Sequence, residues 1–154
     1  MNEKISFLRK LLVQCQQLLN KLINTQMHPS LLDFCNAIKE HEGTIPPCRD
    51  YPNGSTAWRN KNPGNLKCVP IMNRLAMGID PVGFCIFTDE AVGFRALLNK
   101  VQNAIDGKSE VYKPNMTLYD FFAKYDATAP KIYAEVVGKK LGVDPAHFTI
   151  KELI

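Results

Sequence analysis

The chain of 154 residues is 45% hydrophobic and 22% charged, enough apolar side chains for one buried core and too many for wholesale disorder. Nineteen Lys and Arg against fifteen Asp and Glu give a net charge of +4, which suits an anionic polymer without choosing between a cell wall and a nucleic acid. Collagen-like repeats are excluded, and no apolar run is long enough for a membrane span.

Residues 3–24 read as one helix. Ile5, Leu8, Leu12, Cys15, Leu19 and Leu22 recur three and four apart, an apolar seam of the coiled-coil kind. Packing of that seam on the chain's own globular body is the default, and self-association or docking is the alternative. Arg9, Lys10, Gln14, Gln16, Gln17 and Lys21 interrupt any secretion-signal core, and no small-residue cleavage site follows. The chain therefore reads as made in the cytoplasm, with another route needed for action outside it. Pro29 disfavours helix at His28, which places the end of an N-terminal helix-and-linker unit at 1–28.

Ser30 caps the next predicted helix, with Leu31, Leu32, Phe34, Cys35 and Ile38 on its apolar face and an end at Glu42-Gly43. From Thr44 to Asp80 helical periodicity gives way to turn signals such as Pro46-Pro47 and Asn62-Pro63-Gly64-Asn65. Leu66–Val69 and Gly83–Phe87 are the expected strands of one small sheet. Thr88 is expected to start a helix buried along Val92, Ala96, Leu97, Val101 and Ile105, with Gly107 stopping it. Thr117 opens a shorter helix holding Leu118, Phe121, Phe122 and Tyr125. Pro130 opens the last, with Ile132, Tyr133, Val136, Val137 and Leu141 inside and Gly142 as terminator. The class is α+β, mostly α, with a small irregular β-region.

The five cysteines form no CxxC pair and the three histidines are scattered, so neither a metal nor another cofactor is expected. Cys15 and Cys35 fit apolar helix positions as buried free thiols, Cys48 and Cys68 either pair or do not, and a reducing compartment is favoured.

Three segments carry chemistry. A glycosidase needs a carboxylic acid able to give a proton to the leaving oxygen, and a helix C-terminal turn beside an apolar wall suits such a group. Glu42 occupies that position, and Gly43 lets the chain leave the helix and bare the carboxyl to a cleft. Asn62 and Asn65 of the Asn-Pro-Gly-Asn run serve either the turn itself or the hydroxyl and acetamido groups of sugars. Trp58 serves as core, cleft wall or sugar platform; Tyr133 packs in the core or stacks on a sugar; Thr88 caps its helix and is a candidate contact. Asp50 is the nearest second carboxylate. A lone glutamate suits a lytic transglycosylase, in which the substrate's own 6-hydroxyl attacks and no water-activating partner is needed.

The order of Glu42-Gly43, RNKNPGNL at 59–66, GFCIFTDEAVGFRAL at 83–97, TLYDFFAKY at 117–125 and IYAEVVGKKLGVDP at 132–145 resembles a lysozyme-like family of phage and bacterial wall-degrading domains, endolysins among them. The resemblance spans about 29–145 and leaves the N-terminal helix outside. It implies a lysozyme-like catalytic domain over 29–154, peptidoglycan as substrate and Glu42 as catalytic acid at the β-1,4 bond between N-acetylmuramic acid and N-acetylglucosamine, and it lifts Tyr133 towards the cleft; Trp58, Asn62, Asn65, Thr88 and Tyr133 are the candidate substrate-binding residues. The chain departs from the family pattern in the short 126–130 segment and in 71–81, which bear on the subsites. The alternative is a non-catalytic wall-binding or virion structural module, with the first helix as its self-association or virion-docking element. Glycan strands are the expected partner; no basic cluster or recognition helix points to nucleic acid.

Overall fold

The computed structural model describes residues 9–18, 28–69, 74–126 and 128–153. Residues 9–18 are helical and exposed along their whole length. Leu12 is 70% exposed and Cys15 is an exposed thiol, so in these residues the expected packing of the seam on the chain's own body, and the burial of Cys15, are corrected. Ile5, Leu8, Leu19 and Leu22 of that seam lie outside the described residues.

Helix α1 (Leu31–Glu42) starts where expected. Ser30 and Asp33 form a reciprocal capping box, which supplies partners for backbone N–H groups that a helix start leaves unpaired. The helix ends because Gly43 takes φ +65°, a conformation costly for a side chain, and its N–H returns to the Lys39 carbonyl. Phe34, Cys35, Ala37 and Ile38 are buried, whereas Leu32 points away from that stripe and is exposed.

A single helical turn, α2 (Thr56–Arg59), replaces the loop expected around Trp58. Its cap, Ser55, reaches across the chain: the hydroxyl donates to the Gly43 carbonyl at 2.6 Å and accepts from Ile45 N at 3.0 Å and Trp58 N at 3.2 Å. The backbone just past Glu42 is thereby tied down.

The sheet is antiparallel, β1 (Gly78–Ile79) against β2 (Cys85–Ile86), with Gly78 opposite Ile86 and Ile79 opposite Cys85. The expected strand over 66–69 is reduced to a bridge between Lys67 and Phe84. That bridge brings Cys68 and Cys85 to a Cα separation of 4.8 Å, and these two form the disulfide. Pairing of Cys48 with Cys68 is therefore corrected, and Cys48 is an exposed thiol.

Helix α3 (Glu90–Ile105) is capped by Asp89, whose carboxylate accepts from Val92 N at 2.9 Å. Thr88 is one residue too early to cap it and is exposed, its hydroxyl 3.3 Å from Asp89. Helix α4 (Leu118–Tyr125) has the Thr117–Asp120 capping box, and α5 (Pro130–Leu141) runs from Pro130 to a left-handed Gly142. Ile132 was expected inside but is 60% exposed, because the buried stripe runs through Tyr133, Ala134, Val137 and Gly138. Helix α1 packs on α3 and α5, and α5 packs on α4, around one core that includes Phe34, Leu97, Phe121, Phe122 and Val137. A closing 3₁₀ turn, Ile150–Glu152, lies against α3. The mostly helical α+β class stands.

Candidate active site

Three elements converge on Glu42. It is the last residue of α1 and is half-buried. One carboxylate oxygen accepts from the Tyr133 hydroxyl of α5 at 2.8 Å, and the other accepts from the Asn65 side-chain amide at 2.6 Å. Two donors from separate elements fix the carboxylate's direction.

The turn that carries Asn65 is itself held tightly. Asn62 is fully buried, donates through its side-chain nitrogen to the carbonyls of Leu66 (3.1 Å) and Cys85 (3.0 Å), and accepts from Leu66 N at 2.9 Å. Its amide is spent on backbone, so of the two readings open for Asn62 the turn role holds, and contact with a substrate is corrected. Asn65 sits at φ +42°, a region asparagine tolerates because its side chain bonds locally. The Tyr125 hydroxyl of α4 donates to the Gly64 carbonyl, and a Cβ at Gly64 would meet that oxygen at 2.9 Å. The Oδ1 atom of Asn65 is buried without a partner among the described residues, an orphan acceptor next to Glu42.

Tyr133 is 2% exposed, stacked on Phe122 at 4.2 Å and under His41 at 3.9 Å between ring centroids. It grips Glu42 from within the core, which corrects its assignment as a sugar platform. Burial first, then the neighbouring Tyr125 and the Glu42 charge, push its phenol far up, so it remains a hydrogen-bond donor. Tyr125 is pushed up in the same way, by burial and then by Glu42.

Beside Glu42 and Asn65 opens a groove of about 980 Å³. The β-region contributes Lys67, Val69 and Phe84, α3 contributes Lys100 and Asn103, the loop 108–112 follows, and the end of α4 adds Ala123 to Asp126. A cleft of this size with mixed apolar and charged walls is the usual form of a ligand site. Of the residues singled out in the sequence, Glu42 and Asn65 line it and Tyr133 supports it from behind. Trp58 does not line it; that ring covers Gly54 and carries the Lys61 ammonium 4.4 Å from its centre. Thr88 is likewise absent from the groove wall. Asp50 lies in the exposed Cys48–Tyr51 loop, and the carboxylates that share the groove with Glu42 are Glu110 and Asp126. Both oxygens of Asp126 accept from backbone, Thr128 N at 2.9 Å and Ala129 N at 3.1 Å.

Lys100, Tyr112 and Glu110 carried no local signal in the sequence, since each reads as an ordinary helix or loop residue until α3 and the following loop fold over the β-region. Among the described residues, no three His, Cys, Asp or Glu side chains gather into a metal-binding group, and no helix is long and apolar enough to cross a membrane. Compared with protein-family models, curated proteins and solved structures, the chain shows no match.

Proposed function

We propose that the protein is a peptidoglycan-cleaving glycosidase with Glu42 as its general acid and base. One observation carries the reading: the Glu42 carboxylate, oriented by Tyr133 and Asn65, faces a groove large enough for several sugar rings. The lysozyme-like order of motifs supports it.

In this mechanism the glycan lies along the groove with a β-1,4 bond at Glu42. The carboxylic acid gives its proton to the glycosidic oxygen as the bond to the anomeric carbon breaks, leaving an oxocarbenium-like sugar. Glu42, now a carboxylate, takes the proton of the attacking nucleophile, so the acid is regenerated at the end of the cycle. With the muramic acid's own 6-hydroxyl as nucleophile the product is an anhydro-sugar, and no second carboxylate is needed. Asp126 is committed to its turn, and this single-carboxylate course needs neither it nor Glu110, the other carboxylate of the groove. Fixing the acid in place before substrate arrives lowers the entropy cost of reaching the reactive geometry.

The reading places the protein's action at the cell wall, after release from the cell that makes it or as part of a virion. A second reading, a wall-binding or virion module without catalysis, is favoured by the exposed Leu11, Leu12, Val13 and Leu18 of the N-terminal helix, a surface suited to docking. Turbidity clearing of purified walls by wild type and E42Q separates the two. The enzyme reading expects clearing by wild type and loss of at least about a hundredfold in E42Q. Equal clearing by both removes Glu42 from the chemistry, and binding without clearing supports the module.

A further inference from the structure

Lys100 projects into the same groove from α3, its ammonium 4.7 Å from the ring centres of both Tyr112 and Tyr125. Other lysines of the groove are otherwise employed. Lys67 donates to the Val82 carbonyl at 2.9 Å and Lys108 pairs with Asp106 at 2.6 Å, while Lys124 is exposed to solvent and bears no desolvation cost. Lys100 is partly buried and makes neither a hydrogen bond nor an ion pair with another described residue. A desolvated ammonium with aromatic faces beside it and no anion costs stability, and that cost is recovered only when an anion enters. Burial pulls the Lys100 amine down to about 8, which still leaves it mostly charged at neutral pH.

The geometry points to Lys100 as a specificity-determining residue that receives a carboxylate carried by the substrate, so that the groove selects an acidic glycopeptide over a neutral glycan. This rests on the reading of the groove as a glycan site. Peptide stems on muramic acid carry such carboxylates; a polymer of N-acetylglucosamine carries none. Lys100 acts on binding, and Glu42 acts on the bond.

The test is calorimetric binding of a disaccharide muropeptide, which holds no bond for this enzyme to cut, in its native form and with its carboxylates converted to amides. Wild type should bind the native form roughly tenfold more tightly, K100M should bind both forms alike, and K100R should restore the preference. Equal binding of the two forms by wild type, absence of binding to either, or an undiminished preference in K100M overturns the assignment. Release of cleaved glycan from walls by wild type is read separately. Cleavage without a carboxylate preference sinks only the role of Lys100, and a preference without cleavage sinks only the catalytic reading.

Discussion

At the scale of single residues, two asparagines three positions apart do different work. Asn62 satisfies two carbonyls and one N–H inside the core, whereas Asn65 turns outward to Glu42. Asn62→Ala strands three buried backbone groups and is expected to cost about 2–4 kcal/mol, measurable by urea denaturation. Tyr133→Phe removes only the hydroxyl that holds Glu42 from the core. Wall-clearing rate should fall roughly tenfold, with KM for soluble glycan little changed, because orientation of the acid and not substrate binding is lost. The position of Glu42 at the end of α1 was readable in the sequence from its place before Gly43. The division of labour between Asn62 and Asn65 was not, since turn chemistry and sugar recognition favour the same residue type and only burial distinguishes them.

Among the elements, close approach between α3 and the Asn-Pro-Gly-Asn turn sets the position of the groove. A Cβ at Gly93 would stand 2.0 Å from the Lys61 carbonyl oxygen, so this helix touches the turn only because Gly93 has no side chain. Gly93→Ala should push the two apart, costing at least about 2 kcal/mol in thermal or chemical denaturation and lowering activity together with stability. Helix starts at Ser30 and Thr117 were legible because capping chemistry is local, a side chain satisfying backbone groups two or three residues away, and the start at Pro130 because proline's fixed φ suits a first helical position although no side chain caps that helix. Strand β1 was not, since two residues around Gly78 show no alternation, and its pairing with β2 is decided by contacts distant in sequence. The same reason hid the disulfide. Cys68 and Cys85 become neighbours only through the Lys67–Phe84 bridge, whereas along the chain Cys48 and Cys68 were the pair flanking the loop.

For the molecule as a whole, the burial of Lys100 bears on stability as well as on its proposed role in binding. Its amine titrates at about 8 in the folded state against 10.5 in the unfolded chain, so the unfolded state binds more protons between those values and its contribution to stability rises with pH across that window. Below about 8 the full penalty of a buried charge is present. K100M should therefore be more stable than wild type at pH 7 by about 1 kcal/mol, after loss of the two aromatic contacts is set against the desolvation relieved. That advantage should shrink from pH 8 upward and vanish above about 10.5. Tyr133 and Cys35, both pushed up by burial, destabilise the two proteins alike at high pH and cancel in the difference, whereas Tyr112 and Tyr125 touch Lys100 and enter the difference once an unfolded tyrosine ionises, so the comparison is read below about pH 9. Melting temperatures of the two proteins from pH 6 to about 9 measure the effect. A gain in stability with a loss of carboxylate preference marks a side chain kept for binding at the expense of the fold.

Mass spectrometry of soluble fragments from purified peptidoglycan treated with wild type or E42Q is the most direct test of Glu42 in its groove. Disaccharide-peptides ending in an anhydro-sugar, abundant with wild type and absent with E42Q, are the predicted result. Intact glycan strands after wild-type treatment, or the same fragments from both proteins, would contradict it.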